Sequence, residues 1–110
     1  MWVIIKAITI RKIKKAIREK RMIKFIFEGK ERIVEPYIFG MEVHSSIYIL
    51  YAWFVDGFSN SGFINPDEKW RSYPIKKIKK IEILVKNFKG DRKVTSLPYL
   101  NFCKIIYKIE

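Results

Sequence analysis

Hydrophobic positions fall at helical spacing early in the chain and at strand spacing after it. Ile10, Ile13, Ala16 and Ile17 recur three and four positions apart, which lines one face of a helix expected over residues 7–21. Lys12, Lys14, Lys15, Arg18 and Arg21 fall mostly on the other faces. Cations persist to the end of this segment, which suits the negative pole of a helix dipole. Such a helix is expected to cap an open barrel end, and its basic face is compatible with a nucleic-acid surface.

From Met22 the residues become β-branched and aromatic. Met22-Ile23-Lys24-Phe25-Ile26-Phe27 predicts a strand, and Glu28-Gly29-Lys30 a tight turn. The return strand is expected over residues 31–38, with Pro36 at its edge or exit because proline cannot donate to a ladder. Gly40 and Met41–Ser46 read as a loop. The most hydrophobic strand spans residues 47–55, whose near-continuous apolar character means that both faces are covered or that one is a dimer or ligand surface. Asp56–Gly62 is a loop by composition, and Asn65-Pro66-Asp67 a turn. A short strand is expected over residues 69–73, stopped by Pro74, and a last clear one over 79–86. Residues 88–98 are turn-rich, and 99–109 form a tail with a short strand or helical turn. Five short strands after one helix predict a mainly β (α+β) fold, a small barrel. It is a single domain over 1–110: an N-terminal helical region to residue 21, a barrel over 22–87 and a short C-terminal tail over 88–110.

A length of 110 residues fits one domain with one core, and 49% hydrophobic residues can supply it. The formal net charge is +12, which favours phosphates and other anions as partners. The surplus is bipolar. Residues 1–30 and 69–93 each carry net +8, whereas residues 31–68 carry net −5. Of the 23 cations 17 are lysine, so a genome-wide or growth-temperature bias is the competing explanation. Cys103 is the one cysteine. It excludes an internal disulfide, reads as a small buried hydrophobe, and makes a reducing cytoplasm the expected location. No segment has the roughly 20 apolar residues of a membrane span, and the start lacks the charged region and cleavage site of a secretory signal.

The stretch Trp70-Arg71-Ser72-Tyr73-Pro74-Ile75-Lys76-Lys77-Ile78 mixes rings, cations and apolar anchors. Arg71 can fork onto a phosphate, or sit as a surface cation near Asp67 and Glu68. Lys76 and Lys77 can neutralise phosphates, or occupy a solvated turn. Tyr48, Tyr51 and Tyr73 can stack bases or cap a pocket, although a tyrosine in a strand usually belongs to the core. His44 has no second histidine to work with and reads as a loop residue. Asp67-Glu68 and Glu28/Glu31 fall at turn signals. No glycine-rich phosphate loop, Ser/His/Asp set or metal-ligand spacing occurs, so neither an enzyme nor a cofactor is expected.

The run Ala16-Ile17-Arg18-Glu19-Lys20-Arg21, a strand, Gly29-Lys30, then Arg32-Ile33-Val34-Glu35-Pro36-Tyr37 resembles the opening of the WYL domain, with its Arg-x-x-Glu-Pro segment. Trp70–Ile78 resembles that family's second signature, with Arg71 matching and Tyr73 at its aromatic position. The naming Trp-Tyr-Leu motif falls on Ile47-Tyr48-Ile49, where Tyr48 is identical; Pro74, Lys76 and Lys77 replace Arg, Asp and Arg of the second signature. The resemblance covers residues 10–107 and implies a five-stranded SH3/Sm-like barrel. It also implies a ligand-sensing module of transcription regulators or CRISPR-associated proteins, responding to nucleic acid or another negatively charged ligand. Its site would draw on Arg71, Tyr73, Lys77, Tyr48, Lys76, Arg32 and Tyr51. Relatives of that kind carry a helix-turn-helix before the barrel. One helix stands there in this chain, so duplex reading would need a helix-turn-helix partner. Single-stranded DNA or RNA, or a nucleotide-like anion, is therefore the expected ligand. The alternative is a protein-interaction or homodimerisation domain using the apolar strand 47–55, and salt dependence separates the two.

Overall fold

A computed structural model describes residues 2–57, 69–93 and 103–109. The turn expected at Asn65-Pro66-Asp67, most of the loop 56–62, residues 94–102 and the Cys103 side chain lie outside the described residues.

Helix α1 spans Trp2–Glu19. The apolar stripe read from the sequence, Ile13, Ala16 and Ile17 with Ile10 beside them, is buried. Thr9 and Lys6 continue that stripe one and two turns before Ile13 and are also buried. Two polar residues on the inward face hid the first turns of the helix from a hydrophobicity reading. The stop at Glu19 has no glycine to announce it. Lys20 adopts a left-handed backbone with φ 54°, a conformation usual at helix ends but uncommon for a residue with a side chain. The open carbonyls find donors from a distant strand. Asn87 Nδ2 donates to the Glu19 and Lys20 carbonyls at 3.1 Å each, and the Phe88 N–H donates to Lys20 at 2.9 Å.

Six antiparallel strands follow: β1 Arg21–Phe27, β2 Lys30–Glu42, β3 Ile47–Gly57, β4 Trp70–Pro74, β5 Ile78–Asn87 and β6 Cys103–Lys108. A short 3₁₀ turn, Ile75–Lys77, joins β4 to β5. The sheet runs β4-β3-β2-β1-β5, with β6 also paired to β2. The fold is mainly β with one helix, as expected, but the sheet is open and has six described strands rather than five. Between β1 and β2, Glu28 and Gly29 take φ 52° and 76°. Two successive positive φ values match the twist of a two-residue hairpin turn.

The length of β2 departs most from the sequence reading. Its first half pairs with β1 from Lys30 to Val34, its second half pairs with β6 from Ile38 to Glu42, and β3 runs along its other edge. Pro36 therefore sits inside the strand, not at its exit. It falls in the interval between the two same-edge partners and beside a register shift against β3, where a missing N–H breaks little of the ladder. Gly40 belongs to the strand too, and a Cβ there would lie 2.8 Å from the Lys104 carbonyl. Its bare backbone is what admits β6, the strand formed by the tail. The expected loop thus shrinks to the turn Val43–Ser46, held by Glu42. That carboxylate accepts from the His44 and Ser45 N–H groups at 2.9 Å each and from the Ser45 hydroxyl. These bonds hold its pKa below the ordinary glutamate value.

The main core lies between α1 and the sheet, built from Ile13, Ile17, Phe25, Val34, Leu50 and Tyr73 among others. A second cluster gathers Tyr37, Ile38, Tyr51 and Trp70. In β5 the pairing with β1 slips twice, between Lys79 and Glu82 and between Ile83 and Asn87. Carbonyls inside both irregular stretches are taken by cations: Lys12 Nζ donates to Ile81 at 3.2 Å and Arg21 Nε to Leu84 at 2.8 Å. No described helix is long and apolar enough to cross a membrane.

Candidate functional site

The stretch Trp70–Ile78 sorts its residues by face. Trp70, Tyr73, Ile75 and Ile78 point inward; Lys76 and Lys77 are exposed on the 3₁₀ turn. Burying Ile75 within a three-residue turn turns its two neighbours outward. Trp70 stacks parallel on Tyr51 at 5.2 Å and meets Trp53 and Tyr37 edge-on. Tyr51 is thereby committed to the core and offers no stacking face.

Tyr73 is 2% exposed. Phe25 and Phe27 pack edge-to-face against it at 5.1 and 5.0 Å, so it too is closed to a base. Arg32, expected in the ligand set, is 4% exposed; it donates from NH2 to the Phe27 carbonyl at 3.1 Å and lies over the Phe27 ring. Burial pushes the Tyr73 phenol up to about 12, against the opposing pull of Arg32 and Arg71. The three sequence-nominated residues Arg32, Arg71 and Tyr73 are therefore neighbours. The Tyr73 hydroxyl and Arg32 Nε are both buried, and the Arg32 guanidinium is the donor that faces the hydroxyl. Arg71 is half-buried in β4 and donates to the Trp70 carbonyl at 2.8 Å.

The remaining nominated residues line two adjoining clefts. One, of about 260 Å³, has Lys76, Lys77 and Lys79 around the β1–β2 turn at Glu28 and Gly29, with Ile26 below. The other, of about 410 Å³, opens between α1, the start of β3 and the 3₁₀ turn. Ala7, Ile10, Ile47 and Ile75 form its walls, and Lys6, Lys76 and Tyr48 also line it. Tyr48 is 45% exposed, with one face on Phe39 at 5.7 Å and 18°. Of the three tyrosines considered, it is the one with an open ring. Lys76 lines both clefts.

Sequence reasoning passed over Lys79 and Lys6. Lys79 reads as an ordinary strand lysine until the turn brings it beside Lys76 and Lys77. Lys6 lies before the recognised helix stripe. It is 8% exposed, and its ammonium donates to the Ile75 carbonyl at 2.5 Å. Burial, with a smaller contribution from Lys79, lowers its pKa below the ordinary lysine value. Glu35 and Arg92 were also passed over as a pair. Arg92 Nε donates to Glu35 Oε1 at 2.8 Å and NH2 to Oε2 at 3.4 Å, while the guanidinium lies 4.2 Å from the Trp53 ring centre. The Arg92 N–H donates to the Tyr37 hydroxyl at 3.2 Å. This group fastens the segment after β5 to β2 and β3. Among the described residues, no group of His, Cys, Asp and Glu could hold a metal ion.

Comparisons of the chain with known protein families, with characterised proteins and with solved structures found no match.

Proposed function

We propose that the chain is a binding and sensing module for single-stranded nucleic acid or a nucleotide-like anion, of the WYL type and built on an SH3/Sm-like barrel plan. The observation that carries this reading is the convergence of Lys76, Lys77 and Lys79 on one cleft beside the Gly29 turn. Three ammonium groups around one depression attract phosphate oxygens. Tyr48, half-exposed nearby on the 410 Å³ cleft, supplies a ring on which a base can stack. Arg71, half-buried in β4, is a further candidate phosphate contact. Transcriptional or CRISPR-associated control, with a helix-turn-helix partner, is the setting this reading fits. The competing use of residues 47–55 as a protein interface has less to work with, since Leu50, Tyr51, Ala52 and Phe54 are buried within the chain itself.

Fluorescence anisotropy with labelled single-stranded DNA, single-stranded RNA and duplex tests the reading. Three phosphate contacts predict a salt slope of roughly −2 for single strands, hence about a 15-fold loss of affinity between 50 and 200 mM salt. Lys77→Ala should flatten the slope by about 0.7, and Arg71→Ala should weaken binding. Absence of single-strand binding at low salt, or no change in both variants, would sink the proposed site.

A further inference from the structure

The 410 Å³ cleft has features that phosphate binding does not use. Its size lies within the range of small-molecule sites, about 300–1,000 Å³. Ala7, Ile10, Ile47 and Ile75 make its walls aliphatic. Inside the cleft, away from the exposed Tyr48 ring, such walls would leave the polar edges of a nucleobase unpaired, at a cost. The charge in this apolar setting comes from Lys6 and Lys76.

Lys6 decides the chemistry. It is more than nine-tenths buried, and among the described residues its ammonium donates to the Ile75 carbonyl. An ammonium carries three donors, and Lys6 has no carboxylate partner among the described residues. Burial and the nearby Lys79 lower its pKa, as expected of a cation taken from water beside a like charge. A buried cation is costly until a counter-charge joins it. A compact anion attached to a hydrocarbon body would suit both the cation and the aliphatic walls.

We propose that this cleft binds an apolar monocarboxylate, with its hydrocarbon body against Ile10, Ile47 and Ile75 and its carboxylate between Lys6 and Lys76. Because Lys76 also lines the three-lysine cleft, a carboxylate bound here withdraws one cation from phosphate. Occupancy by the small molecule therefore weakens nucleic-acid binding. That coupling rests on the proposed function, whereas carboxylate binding itself does not.

Titration calorimetry with octanoate, and with octanol as its uncharged counterpart, tests the site. Octanoate should bind, and octanol at least about tenfold more weakly, the effect of one charge-assisted contact. Lys6→Met should reduce octanoate affinity by a similar factor. Ala7→Trp should do the same by filling the cleft, and Ala7 is exposed on α1, so the core stays intact. Circular dichroism checks the fold of each variant. No octanoate binding at millimolar concentration, equal affinity for octanol, or undiminished binding in Ala7→Trp overturns the proposal. A competition with labelled single-stranded DNA reads the coupling. If DNA fails to bind on its own, the nucleic-acid reading falls while the octanoate titration still decides the carboxylate site.

Discussion

Replacing Arg92 with alanine should destabilise the fold by about 2 kcal/mol. The Glu35 side chain is 7% exposed, and both of its oxygens accept from Arg92. Stranding a buried carboxylate costs about 3–5 kcal/mol when its partner is also buried. Here the Arg92 side chain is 41% exposed, so water reaches the vacated position and screens part of the loss. The guanidinium also leaves the Trp53 face, worth about 0.5–1 kcal/mol at an accessible site. At about 4–8 °C per kcal/mol, the melting temperature should fall by roughly 8–16 °C. Thermal and urea unfolding of Arg92→Ala, Glu35→Gln and the double variant form a cycle that isolates the pair. Once Glu35 carries no charge, losing Arg92 should cost roughly 1 kcal/mol or less. A cycle that is additive within about 0.3 kcal/mol would refute the idea that this ion pair fastens the segment after β5.

Tyr73→Phe should cost about 1 kcal/mol, because it removes the buried oxygen that faces the Arg32 guanidinium and leaves a buried donor without an acceptor. A thermal melt checks this, and unchanged or raised stability would mean that Arg32 gains nothing from the hydroxyl. Glu42 gives a pH dependence. Its folded pKa is depressed by bonds to Ser45 and His44, so its contribution is present above the unfolded value and is lost as pH falls through about 4.5 and below. Stability measured from pH 6 to pH 3 should therefore drop more for the wild type than for Glu42→Gln, and parallel curves would contradict the assignment.

Much of this architecture was legible because it depends on local pattern. The helix face at Ile13, Ala16 and Ile17, the turn at Gly29 and the strand near 47–55 follow from spacing and turn chemistry alone. What was missed depends on partners far away in sequence. Gly40 looks like a loop residue until Lys104 lies against it. Pro36 looks like a strand exit until β2 proves to serve two partners along one edge. The helix stop at Lys20 draws on Asn87. At the candidate site, Lys76 and Lys77 were nominated as point charges of a turn, and they are exposed. Tyr48, Tyr51, Tyr73 and Arg32 were nominated on residue type or motif position, neither of which indicates whether a side chain faces the core; Tyr48 stands out and the other three are buried. Lys6 carried no signal at all, since a lone lysine before a helix stripe gives no hint of burial.

The cations that meet β5 have a consequence beyond ligand binding. Among the described residues β5 ends the sheet path and pairs with β1 alone, and a strand with open backbone groups is a template for aggregation. Lys12 from α1 and Arg21 from β1 occupy two of its carbonyls, Ile81 and Leu84, and Lys79, Lys80 and Lys86 stand exposed along the strand. A second chain seeking to add a strand there would have to bring its backbone into a row of like charges. Part of the +12 surplus thus keeps neighbouring copies apart, so neutralising it by lysine acetylation would lower solubility even where no ligand is lost.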